Sequence, residues 1–337
     1  MTSPTQLAEY LATPRRVVLV SHRNPDGDAI GSTLGLRRLL EPLGHRVTIA
    51  VPSEYPRFLR FLAGVEEVLV YDNEAERVAA VLAEAELIGL LDFNSVDRID
   101  KLGEAVMKHP DTPRILVDHH LEPEALASLI YSDTGASSTC ELVYRLAVDM
   151  GWRERVTPAV AEALMTGILT DTGGFSYATN PTLFRVVAEL FEVGVDNERL
   201  QDAVFNAMSE KQLRLLGHCL ANRLEVFPEW GAALITLSKR DYEQFDIQRG
   251  DTEGIVNFML RMDGIALAAF ITEQPTITKL SLRSKGDISV QEIAREHFRG
   301  GGHKNASGGM SHAGLRATVG KFKRVLRERH ERSLAAA

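Results

Sequence analysis

The chain has 337 residues, enough for two domains with a sizeable core, and its 45% hydrophobic and 25% charged residues suit a globular protein. A formal charge of -8 argues against a basic face that grips long nucleic acid, so an anionic substrate is expected to be small or locally captured. Cys140 and Cys219 stand outside any CxxC or zinc-like spacing, which argues against a disulfide framework and fits a reducing cytoplasm. The opening MTSPTQLAEYLATPRR lacks a signal peptide's apolar core, and no run reaches the roughly 18 to 20 apolar residues that span a bilayer, so no membrane association is expected.

In chain order, VVLV (17–20) reads as a buried strand, 29–43 as a helix stopping at Gly44, and RVTIAV (46–51) as the next strand. VEEVLVYD (65–72), LIGLLDF (87–93) and RILVD (114–118) follow as apolar runs separated by polar or helical segments. Continuous apolar strands alternating with helices predict a mostly parallel sheet flanked by helices, whose ligands bind at the carboxyl ends of the strands. Helical patterns then dominate: 137–151, 157–171, 181–194 and 209–224. From about 223 the texture changes. Residues 225–238, 265–274 and 277–285 read as strands, with PEWG suggesting a hairpin. Residues 252–263, 290–298 and the basic 317–332 read as helices. The expected architecture is α/β: a first domain over 1–188, a helical linker over 189–222, and a smaller α/β domain over 223–337. The apolar helices near 181–216 would suit a homodimer.

Most strands of the first domain end in residues able to hold metal. VVLVS leads into His22, Asp26 and Asp28; LIGLLD ends at Asp92; RILVDHH ends at Asp118, His119 and His120; Asp171 closes MTGILTD. A single Asp after a strand is ordinarily a cap or turn former, but two imidazoles and a carboxylate at the end of a buried strand are expensive to desolvate without a partner. Two divalent cations about 4 Å apart repel by roughly 17 kcal/mol at an effective dielectric near 20, so only surrounding anions make a pair tolerable. Asp26, Asp28, Asp92 and Asp171 supply four negative charges, and His22 and His119 add neutral nitrogens. Asp92, alone on its strand end, is the best bridging candidate. Mixed carboxylate and imidazole donors suit Mn²⁺, with zinc, iron and cobalt also open. Such a cluster serves in-line attack by water on phosphorus. Pro25 and Gly27 would shape the loop that aims Asp26 and Asp28, and Gly31 would allow either anion approach or close helix packing.

A second constellation is FRGGGHKNASGG (298–309). Its glycines, Gly301 and Gly302 among them, read either as a flexible loop or as close backbone approach to a ligand. His303 could stack on a base and Asn305 offers an amide, while Arg283 and Ser284 sit on a nearby strand end where arginine suits phosphate.

Together HRNPDGDAIGS, LLDFNS, VDHH, TDTGGF and GGGHKNASGG resemble the DHH phosphoesterase superfamily, over nearly the whole chain. The resemblance implies that His22, Asp26 and Asp92 hold one metal and Asp28, Asp92, His119 and Asp171 the other. It implies that His120 faces the scissile phosphate, that Asp118 orients the histidines, and that GASST (135–139) starts a helix near the site. It implies catalysis in the cleft between the domains, the second binding the nucleotide end. Size and layout resemble the nano-RNase/pAp phosphatase group. A Mn²⁺-dependent enzyme is expected, one that cleaves short oligoribonucleotides such as pApA and removes the 3′-phosphate of 3′-phosphoadenosine 5′-phosphate. Other readings are a cyclic-dinucleotide phosphodiesterase, a RecJ-like single-strand exonuclease, a family II pyrophosphatase and a non-catalytic nucleotide sensor.

Overall fold

The run VVLV lies at the centre of a six-stranded sheet. In the computed structural model, which describes residues 3–248 and 250–336, the chain divides into two compact units, Met1–Ala207 and Met208–Ala337.

In the first unit the strands are β1 (Arg16–Val20), β2 (Arg46–Val51), β3 (Leu69–Val70), β4 (Leu87–Leu91), β5 (Arg114–Asp118) and β6 (Leu129–Ser132). Their spatial order is β3-β2-β1-β4-β5-β6, and every neighbouring pair is parallel. The helices are α1 (Pro4–Tyr10), α2 (Gly27–Leu40), α3 (Tyr71–Ala83), α4 (Asp100–Met107), α5 (Thr139–Asp149), α6 (Pro158–Thr172), α7 (Pro181–Val193) and α8 (Asn197–Phe205). Alternate residues of β1 serve opposite faces. Val17 and Leu19 join a core with Ile30 and Leu34 of α2, Leu142 and Leu146 of α5, and Leu164 and Ile168 of α6. Val18 and Val20 join one with Val78 and Leu82 of α3 and Leu102 and Val106 of α4. A sheet covered on both faces has no polar positions to alternate, which is why its strands read as unbroken apolar runs. The chain leaves β1 toward β2 and β3 and then returns to β4 on the other side, so the order reverses between β1 and β4, the place where sheets of this kind bind ligands beyond their carboxyl ends.

The second unit holds α9 (Glu210–His218) and a sheet of β7 (Leu224–Phe227), β8 (Ala232–Leu237), β9 (Leu267–Glu273), β10 (Thr278–Ser284), β11 (Gly301–His303) and β12 (Ala306–Ser311), with order β11-β12-β10-β9-β8-β7. All its pairs are antiparallel except β8 with β9. The short helices α10 (Lys239–Gln244) and α11 (Ile255–Met259), then α12 (Val290–Phe298) and α13 (Leu315–Ala336), complete it. Leu280, Leu282, Phe298 and Phe322 fill one face, and Ile235, Leu237, Phe270 and Met259 the other.

Three local differences from the sequence expectation have physical reasons. VEEVLVYD yields only the two-residue β3, because 65–67 coil into a 3₁₀ turn and Tyr71 already starts α3. Residues 252–263 form only the five-residue α11, entered through Gly254 in the left-handed region (φ 76°). The sequence reading passed over β6, a half-buried edge strand whose apolar run, LIY, is only three residues long.

Candidate metal and phosphate site

Asp26 is the N-cap of α2, its Oδ1 accepting from the amides of Asp28 and Ala29 at 3.0 and 3.1 Å. That cap fixes where the loop SHRNPD turns into the helix, and so places both aspartates of the motif. Asp28 faces the start of α5: Oδ2 accepts from the Thr139 amide at 2.6 Å and Oδ1 from the Cys140 amide at 2.8 Å. These are unpaired amides of a helix N-terminus, where a carboxylate is favoured. Close packing of α2 on α6 makes this possible. A Cβ on Gly31 would lie 2.4 Å from the Ala163 carbonyl, and one on Gly167 would lie 2.7 Å from Asp28 Oδ1. Of the two roles open to Gly31, this geometry supports helix packing.

Asp92 follows β4 with a left-handed backbone (φ 65°), a conformation that strains most side chains and that Asp tolerates. It is 2% exposed, and its two oxygens face different imidazoles: Oδ2 lies 3.3 Å from His22 Nε2 and Oδ1 lies 3.6 Å from His119 Nε2. His22 Nε2 is also 3.9 Å from Asp26 Oδ1, while its Nδ1 pairs with the Arg23 carbonyl at 3.0 Å. That pairing makes Nδ1 the protonated nitrogen and leaves Nε2 for the acids. His119 Nε2 lies 3.3 Å from Asp171 Oδ2, in the last turn of α6, and 3.9 Å from Asp28 Oδ2. His120 donates from Nδ1 to Asp118 Oδ1 at 2.7 Å, with Asp92 Oδ1 3.8 Å away.

Two donors of one ion bound at about 2.1 Å sit roughly 3.0 to 3.4 Å apart at octahedral to tetrahedral angles, which the closest of these separations match. The groups His22–Asp26–Asp92 and Asp28–His119–Asp171 each bring their donor atoms within 4.8 Å of one another. The charge state points the same way. Burial, then repulsion from Asp92, pushes the Asp28 carboxyl up to about 8. Burial, then the charges of Asp26 and Asp171, raises Asp92 well above the carboxylate range. Burial lowers His22 and His120, so both imidazoles are neutral donors. Carboxylates this crowded ionise together only against added positive charge, and the residues therefore fit divalent cations.

Three residues here escaped the sequence reading. Arg98, six positions after Asp92, lowers Asp92, His22 and His120 through its charge. Thr139 donates its hydroxyl to Asp92 Oδ1 at 3.2 Å. The fully buried Glu141 accepts from the Ser137 amide and hydroxyl, both at 2.8 Å. For Thr139 the only signal was GASST as a helix start, which α5 with its Ser138 cap confirms in position.

In the second unit, Arg283 and Ser284 end β10. Asn305 donates to Ser284 Oγ, the Gly286 carbonyl and the Ile288 carbonyl at 2.9, 3.1 and 3.2 Å, so Ser284 and Asn305 brace the 284–288 turn. The glycine run forms the β11–β12 hairpin, with Gly301 opposite Gly308, Gly302 opposite Ser307 and His303 opposite Ala306. A Cβ on Gly300 would lie 1.9 Å from the Gly308 carbonyl and one on Gly302 2.6 Å from the Ala306 carbonyl, while one on Gly301 would meet nothing within 4 Å. Two of the three glycines thus answer to hairpin packing, and Gly301 leaves open space.

Residues 16–168 match the DHH family, N-terminal domain, and residues 232–329 match the DHHA1 domain. The chain belongs to the DHH phosphoesterase family. It is 33% identical to the bifunctional oligoribonuclease and PAP phosphatase NrnA of Thermus thermophilus over 90% of this chain and 86% of that one. Identity to the Bacillus subtilis protein of the same name is 29%, over 90% and 92%. A crystal structure of an exopolyphosphatase-related protein from Bacteroides fragilis is 37% identical with a TM-score of 0.93, covering 97% of this chain and 96% of that one. This DHH protein is a hydrolase acting on phosphoester bonds, and no helix among its described residues is long and apolar enough to cross a membrane.

Proposed function

We propose that the protein is a cytoplasmic enzyme that hydrolyses short oligoribonucleotides, including linear dinucleotides such as pApA, to mononucleotides and dephosphorylates 3′-phosphoadenosine 5′-phosphate to AMP. The observation that carries this is Asp92, whose two oxygens face the imidazoles of His22 and His119 inside a ring of carboxylates. The likeness to NrnA along most of both chains supports the substrate class.

His22, Asp26 and Asp92 would hold one divalent ion, and Asp28, Asp92, His119 and Asp171 a second, with Mn²⁺ suited to these oxygen and nitrogen donors. Bound there, such ions make water nucleophilic at neutral pH and steady the oxygens of an in-line displacement. The chain's own groups do the rest. Asp118 holds the Nδ1 proton of His120, which fixes the tautomer and leaves Nε2 for the substrate. Burial and the neighbouring Arg98 charge keep His120 neutral, so the atom it presents to an arriving phosphoester or its attacking water is an unprotonated Nε2. Arg283 is assigned to phosphate and His303 to a base, with Gly301 giving backbone access, Gly302 closing the hairpin behind it, and Ser284 and Asn305 shaping the turn beside them.

The test is turnover by the purified protein with Mn²⁺ on pAp, pApA, pGpG, cyclic dinucleotides and a 20-mer RNA. Mononucleotide release should be fastest from the linear dinucleotides and pAp. If pAp and pApA both persist while a ring or the 20-mer is consumed, the proposed substrate class is wrong.

A further inference from the structure

We infer that Thr139 is a positioning residue that sets the orientation of Asp92 and, through it, the affinity of the site for its cations. It hydrogen-bonds to two of the site's acids. Its amide donates to Asp28 Oδ2 at 2.6 Å, and its hydroxyl donates to Asp92 Oδ1 at 3.2 Å. Both acids are buried, as is Thr139 itself. The oxygen that Thr139 touches is the one facing His119 at 3.6 Å, while the other oxygen of Asp92 faces His22.

The geometry explains why a hydroxyl is useful here. Asp92 leaves β4 with a left-handed backbone, so the strand's regular pleat does not dictate where its carboxylate points. A carboxylate between two imidazoles must keep each oxygen on its own side. One hydrogen bond to Oδ1 fixes the rotation that does this, and outer partners of ligand carboxylates typically act in this way. The Thr139 side chain is itself held. It is β-branched, it occupies the first helical position of α5, and Ser138 caps that helix by accepting from the Glu141 amide at 3.0 Å. Glu141 returns the favour by accepting from Ser137, so the segment 137–141 is locked before any ion arrives.

The role rests on the metal-binding reading given above. Calorimetric titration of the full chain with Mn²⁺ separates the two. Thr139→Val keeps the shape and the amide bond to Asp28 but removes the hydroxyl; Thr139→Ser keeps the hydroxyl. We expect Thr139→Val to bind Mn²⁺ about 10- to 100-fold more weakly than wild type, with an unchanged thermal midpoint in the metal-free state, and Thr139→Ser to recover most of the affinity. Equal Mn²⁺ affinity in wild type and Thr139→Val overturns the role of Thr139 and leaves the metal site standing. A wild-type chain that takes up no Mn²⁺ overturns both. If Thr139→Val does not fold, Thr139→Ala against Thr139→Ser gives the same comparison, and equal affinity in that pair is again fatal.

Discussion

Gly167 lies so near Asp28 that a Cβ on it would come within 2.7 Å of the carboxylate oxygen Oδ1 and 2.3 Å of Cys140 Sγ. Glycine inside a helix ordinarily weakens it by about 1 kcal/mol relative to alanine. Here overpacking outweighs propensity. Gly167→Ala should destabilise the fold by about 1 to 3 kcal/mol, seen as a lower thermal midpoint. By displacing Asp28 it should also reduce turnover by about 10²-fold. A stabilised and fully active variant would show that α2 and α6 have room this geometry denies.

Asp92→Asn separates activity from stability. The variant keeps the shape but removes a charge held against burial and two neighbouring acids. Turnover with Mn²⁺ should fall by roughly 10³-fold. Stability of the metal-free protein should hold or rise in denaturant titration, because the wild-type carboxylate is a liability without cations. A large loss of metal-free stability would mean that Asp92 serves the fold.

Asp118→Asn tests how His120 is held. The 2.7 Å bond to Asp118 defines the tautomer of His120, and an amide in its place permits the wrong one. We expect kcat to fall by about 10²-fold or more with little change in KM. A change confined to KM would assign the pair to binding.

The second unit has its own acid sensitivity. Burial would raise the Asp241 carboxyl, but the Arg223 guanidinium, Ser238 and His218 outweigh it and hold the group well below the carboxylate range. A carboxyl depressed in the folded state stabilises above its unfolded value near 4, and that contribution is lost as pH falls toward the folded value. Asp241→Asn should therefore cost about 1 to 3 kcal/mol at pH 7 and progressively less below pH 4, by chemical denaturation. An equal loss at pH 7 and pH 3 would assign the effect to packing.

Much of this was written locally in the sequence. Unbroken apolar runs announced a sheet covered on both faces, and the acids and histidines following them converge because parallel strands put their carboxyl ends on one edge. Thr139 was hidden for the opposite reason: its partners are 47 and 111 residues away in the chain, and nothing in GASST indicates which carboxylates its helix will meet. Arg98 acts through a long side chain from a 3₁₀ turn, which leaves no periodic trace. The triple glycine carried a second meaning that the run alone does not reveal, since two of its members lie against the chain's own backbone.

Anomalous scattering from crystals grown with Mn²⁺ tests the central claim most directly. Two manganese peaks are expected, one against His22, Asp26 and Asp92, the other against Asp28, Asp92, His119 and Asp171, with Asp92 touching both. No peak at these side chains, or a single peak that leaves Asp92 uncoordinated, would contradict it.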